Sequence, residues 1–171
     1  LHDAIRAAGR AGLDLAGGGA DGDDATISAL MHNLSWLHMM TLRQVVLTGR
    51  GDPDAGRHAL MSAESNQHFD AMVGDSSWQD LKPILRAQIV SLKGDAVQAI
   101  ALYTEHLDKL KTVSRLQANL LADKAWCHVQ LAQRSEARGS ANAALASLID
   151  ETHIDDRAAT HSRLAQVFGS L

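Results

Sequence analysis

The stretch Gly94-Asp95-Ala96-Val97-Gln98-Ala99-Ile100-Ala101-Leu102-Tyr103 decides the fold. Gly94-Asp95 turns the chain, and 96–111 reads as a helix with Ile100, Tyr103 and Leu107 on one face. Small Ala99 and aromatic Tyr103 stand one helical turn apart, on the same side. Two helices in a hairpin need a small residue where their backbones approach most closely. A large residue one turn on then fills the gap to the next hairpin. The scheme recurs on both sides. Gly51-Asp52-Pro53-Asp54-Ala55-Gly56-Arg57-His58-Ala59-Leu60 has Gly56 at the small position and Leu60 at the large one. Ala132-Gln133-Arg134-Ser135-Glu136-Ala137-Arg138-Gly139-Ser140-Ala141 has Ala137, with Ala141 replacing the aromatic residue. The small positions Gly56, Ala99 and Ala137 lie 43 and 38 residues apart.

Working outward, helices and breaks alternate along the whole chain. Alanine and leucine dominate, only Pro53 and Pro83 interrupt, and no window alternates apolar and polar residues long enough for a strand. Residues 1–16 read as an Ala-rich helix marked by Ile5, Leu13 and Leu15, and 17–24 as a Gly/Asp loop. An apolar-periodic segment spans 25–48. Asp52 is placed as an N-cap with Pro53 at the first helical position of a helix reaching about Met72. Gly74-Asp75-Ser76-Ser77 breaks the chain again. Further helices are expected over 79–92, 96–111, 114–131, 136–148 and 155–168. The first helices of successive pairs place Ala87, Ala125 and Ala165 near the crossing, with Gln44 in the earliest copy.

This block resembles the turn and second helix of a tetratricopeptide repeat (TPR), at the Gly of the turn, the small Ala99 and the aromatic Tyr103. The resemblance covers roughly residue 25 to the C-terminus, without the family's usual Trp and terminal Pro. Its repeat of about 38 to 43 residues resembles the long-helix variety of bacterial regulatory proteins. It implies an all-α, right-handed superhelical stack of antiparallel helix pairs, an α-solenoid of about three and a half hairpins over 25–171. In such arrays the first helix of each pair lines a concave groove that binds peptides or partner helices. Carried over by register, that groove comprises Thr41, Val45, Thr48, Gln88, Ser91, Trp126, Gln130, Ser162 and Gln166, with Trp126 as anchor or as packing between repeats.

Composition bounds the function. The 171 residues carry 16 Lys+Arg against 20 Asp+Glu, a net charge of −4, which argues against a dedicated nucleic-acid binder. With 46% hydrophobic and 21% charged residues the chain has an ordinary globular composition, which excludes intrinsic disorder and collagen. No stretch approaches the ~18 apolar residues of a membrane span. One cysteine, Cys127, excludes an internal disulfide and suits a reducing, cytoplasmic compartment. The chain opens on Leu1 without a leader pattern and stops just after a helical pattern, which reads as a piece of a longer protein.

Reactive constellations are weak. Gly17-x-Gly19-x-x-Gly22 matches the dinucleotide fingerprint formally but follows a helical pattern rather than a strand, so it reads as a linker. Asp21-Gly22-Asp23-Asp24 lacks the alternating acids and terminal Glu of a Ca²⁺ loop. His32 and His38, beside Trp36, Met31, Met39 and Met40, are six apart and point to different faces; His153 and His161 flank a turn. Cys127 and His128 are adjacent and do not face each other on a helix. The carboxylates read as helix surface, with no inward-facing pair. Neither a catalytic residue nor a cofactor or metal site is expected. The sequence therefore points to a non-catalytic interaction or sensory module, the input region of a bacterial signalling protein upstream of a diguanylate cyclase or DNA-binding output domain. Its partner would be a protein or peptide, not nucleic acid or membrane. A small-effector receptor with a pocket at Trp126 is one alternative. An oligomerisation element is the other, with Leu164, Val167 and Phe168 uncovered at an incomplete last repeat.

Overall fold

The computed structural model describes residues 20–110, 114–148 and 154–171, and every regular element among them is helical. The expected helix over 1–16 lies outside the described residues. Seven α-helices follow in order: α1 Ala20–Thr48, α2 Ala55–Val73, α3 Lys82–Leu92, α4 Ala96–His106, α5 Ser114–Gln130, α6 Arg134–Ala146 and α7 Ile154–Ser170. A 3-10 turn, Leu107–Leu110, ends the α4 segment. No helix is long and apolar enough to cross a membrane among the described residues.

The breaks follow local chemistry. Gly49 and Gly51 end α1 with φ of 66° and 129°. A Cβ at Gly51 would stand 2.7 Å from Val45 Cγ2, so both the backbone angle and the close approach require glycine there. The cap of α2 differs from the sequence reading. Asp52 Oδ1 accepts the Asp54 N–H at 2.9 Å, a local Asx turn, and the helix starts at Ala55. Pro53 thus fixes the turn rather than the first helical residue. Gly74, left-handed at φ 74°, closes α2 by donating its N–H to Asp70 O. At α4 the Asp95 side chain accepts the Gln98 N–H at 3.1 Å. Two expected boundaries move. Residues 20–24, read as loop, form the first turns of α1. Residues 79–81, read as the start of a helix, belong instead to a turn over 77–81 whose Trp78 stacks on His32 of α1, with ring centroids 4.5 Å apart. That tertiary contact outweighs the local helical pattern.

Three apolar stations hold the helices together. Met39, Leu42, Ala55, Ala59, Leu85, Ile89 and Leu92 join α1, α2 and α3. Ile84, Ala87, Val90, Ala96, Ala99, Tyr103, Leu120 and Cys127 join α3, α4 and α5. Ala122, Ala125, Ala141, Ala144, Leu164 and Val167 join α5, α6 and α7. Chain neighbours α1 and α2, α3 and α4, and α5 and α6 pack on each other. The odd-numbered helices also pack in succession: α1 on α3, α3 on α5, α5 on α7. Ala87, Ala99, Ala125 and Ala137 are fully buried at these crossings, where a larger side chain would hold the backbones apart. Ala165 is exposed, so α7 turns a different face inward from the one the repeat register predicts.

Candidate functional site: an inner face with a buried charge network

The expected groove residues divide sharply. Thr41, Thr48, Gln130 and Ser162 are exposed. Both threonine hydroxyls donate back to their own helix, Thr41 to Leu37 O at 3.0 Å and Thr48 to Gln44 O at 2.7 Å. Val45 is half-buried against the first apolar station. Trp126 is half-buried, with the Arg163 guanidinium 5.4 Å from its ring centroid, so its face is covered by a cation from α7. Gln166, also half-buried, accepts Arg163 Nη1 at 2.8 Å. Gln88 and Ser91 do not line an open surface. Both are buried on α3, because α3 is packed by α1, α2, α4 and α5 at once. Gln88 Nε2 donates to Asn119 Oδ1 at 3.3 Å, and Ser91 Oγ lies 3.1 Å from Cys127 Sγ.

The oligomerisation face is corrected in the same way. Leu164 and Val167 are buried in the third station, because α7 turns them onto α5 and α6. Phe168 alone of the three remains on the surface, 44% exposed.

The odd-numbered helices surround a charge network whose carboxylates the sequence places on the helix surface. Arg43 of α1, Asp123 of α5 and Arg163 of α7 are 2%, 2% and 3% exposed. Asp123 Oδ2 accepts Arg43 Nη2 at 2.7 Å, and Asp123 Oδ1 accepts Arg163 Nε at 3.2 Å. Asp156 of α7 adds a second carboxylate 3.9 Å from Arg43 Nη1. Its backbone carbonyl accepts Asn119 Nδ2 at 3.4 Å, continuing the chain Gln88–Asn119–Asp156 across α3, α5 and α7. Two guanidiniums and two carboxylates balance, which is what permits their burial. Tyr103 is fully buried beside them, and its hydroxyl finds no hydrogen-bond partner among the described residues. Burial, then the Asp123 charge, push its phenol well above the usual range. The legible signal for Asp123 was its place in α5, one helical turn before Cys127 and beside the small Ala122.

Both Asp123 carboxylate oxygens are engaged by arginines. Cys127 is fully buried, and burial pushes its thiol up to about 11. That is far from the activated thiolate a nucleophile requires. His128, its neighbour, turns away, with Nδ1 2.7 Å from Gln133 Oε1. Among the described residues no three His, Cys, Asp or Glu side chains converge on a metal position. His32 is buried against Trp78, near the ion pair of Lys82 with Asp70; burial, then the Lys82 charge, lower its pKa. His38 faces His58 at 6.2 Å. His153 lies outside the described residues. A cleft of about 200 Å³ is lined by Asp24, Ala25, Val73, Gly74 and Asp75, at the α1–α2 end and not at Trp126. It is smaller than the ~300 Å³ at which ligand pockets usually begin.

No family model matches the chain, and no curated protein or solved structure shows significant similarity to it.

Proposed function

We propose that the chain is a non-catalytic interaction module, a TPR-like right-handed stack of antiparallel helix pairs that serves as the regulatory input region of a bacterial signalling protein, upstream of a cyclase-type or DNA-binding output domain. One observation carries the reading. The odd-numbered helices pack in succession, each with its even-numbered chain neighbour beside it. In a stack of that kind the first helices of successive pairs share one side, and exposed side chains along them act together as a surface. Thr41 and Thr48 on α1, Gln130 on α5 and Ser162 on α7 are uncharged, exposed residues on these helices. Such a surface suits an extended or helical segment of a partner protein, held by polar contacts around a few anchors.

The test is affinity capture from a lysate of the native host, read by mass spectrometry. Wild type is compared with Gln130→Ala/Ser162→Ala, which touches only exposed residues, and with Thr41→Ala/Thr48→Ala. A protein retained by the wild type and lost from both variants supports the face. Equal retention by all three removes it.

A further inference from the structure

We propose that Arg43 is an intramolecular latch: it fastens α1 to α5 and α7 across α3, and its release converts the closed arrangement into one in which the inner side of the odd-numbered helices is accessible. Helix packing and ion pairing differ in range. Helix packing runs between neighbours, α1 on α3, α3 on α5 and α5 on α7. In a stack held by nearest-neighbour interfaces, small rotations at each interface sum into changes of overall curvature. Arg43 breaks that locality. Its side chain passes α3 to reach Asp123 on α5 at 2.7 Å and comes within 3.9 Å of Asp156 on α7. One guanidinium therefore sets the spacing of three of the four odd-numbered helices.

The closed state is also incompletely satisfied. Arg43 Nε, Gln88 Oε1 and Tyr103 Oη are buried and find no hydrogen-bond partner among the described residues. The contact of Arg43 Nη1 with Met40 Sδ, at 3.8 Å, is a weak substitute. A buried polar network with orphan atoms is held less firmly than its ion pairs suggest, because opening returns those atoms to water. Asp123 keeps Arg163 when Arg43 leaves, so the open form strands no carboxylate at the α5–α7 contact. The stations around Ala99 and Ala141 do not involve Arg43. These features make a two-state element: the Arg43 contacts to Asp123 and Asp156 break, while α1 to α3 and α5 to α7 keep their own apolar stations.

The latch rests on the interaction-module reading only in its consequence. A partner of the inner side sees its affinity reduced by the fraction of molecules that are open, and a latch variant removes that reduction. The latch itself is tested without a partner, so the two ideas fail separately. Hydrogen exchange by mass spectrometry is compared for the full chain, Arg43→Met and Arg43→Lys. Met keeps most of the volume without the charge; Lys keeps the charge without the fork. The expected result for Arg43→Met is exchange at least tenfold faster in the stretch of α1 around residue 43, with α4, α6 and α7 unchanged. Arg43→Lys is expected to fall between Met and wild type. If Arg43→Met does not fold, Arg43→Lys must by itself give the same localised pattern at smaller amplitude. Exchange that is unaltered, or accelerated equally in every helix, overturns the latch. Unaltered exchange means that Arg43 holds nothing; uniform acceleration means that it contributes only global stability.

Discussion

Replacing Asp123 by leucine removes the one carboxylate that two buried arginines share. Arg43 Nη2 and Arg163 Nε lose their acceptors at 2.7 and 3.2 Å, and both side chains are at most 4% exposed. The remaining carboxylate, Asp156, stands 3.9 Å from Arg43, too far for a good hydrogen bond. Breaking a buried ion pair from one side costs about 3–5 kcal/mol, because the other charge is left without compensation. Two charge-assisted hydrogen bonds at about 1.5–3 kcal/mol each give the same range. Against a typical domain stability of about 5–15 kcal/mol, that is about a fifth or more of the total. For a chain of this size the melting temperature should fall by about 6–20 °C. Urea denaturation followed by circular dichroism measures the loss, and a cycle of variants identifies its origin. Arg43→Met/Asp123→Leu/Arg163→Met, which swaps all three for apolar residues, should lie within about 2 kcal/mol of wild type. The reasoning is refuted if Asp123→Leu costs under about 1 kcal/mol, or if the triple variant loses the sum of the single losses.

Tyr103→Phe should leave stability unchanged or raise it by about 1 kcal/mol in the same urea assay, since the hydroxyl is buried without a partner. Ala99→Leu should cost about 1–3 kcal/mol by thermal melting, because a full side chain must enter a crossing where Ala99 is already 0% exposed. His32 makes stability depend on pH. Its folded pKa is held below 6.5 by burial and by Lys82, so its contribution is complete above 6.5 and declines as pH falls below that value. His32→Gln should flatten the wild-type difference between pH 8 and pH 5; an unchanged difference rules out His32 as its source. Cys127, raised to about 11 and fully buried, should react with a thiol reagent at pH 8 only at the rate of unfolding, and labelling in the native state at the rate of a free thiol contradicts its placement.

The helical class was legible because it is written locally. Ala and Leu propensity, the Gly49, Gly74 and Gly94 breaks and the 3.6-residue periodicity act over a few residues, and they place α2 to α7 within a few positions of their observed ends. The small residues Ala87, Ala99, Ala125 and Ala137 were legible for the same reason: a crossing excludes volume whatever lies beyond it. Errors appear where tertiary contact competes with local preference. Residues 79–81 stay in the turn whose Trp78 stacks on His32, and residues 20–24 continue α1 despite their Gly/Asp composition.

What the sequence by itself determined, then, is an all-helical chain with its turns and its closest crossings. Only the tertiary structure decided which polar residues are inside. Gln88 and Ser91 fit an exposed groove by register, yet four helices enclose α3. Leu164 and Val167 fit a bare end, yet α7 turns them inward. Arg43 and Asp123 are 80 residues apart, and the carboxylate by itself reads as helix surface. No local signal joins them, because a buried charge becomes tolerable only when its counter-charge arrives from another helix, and that meeting is a property of the assembled fold.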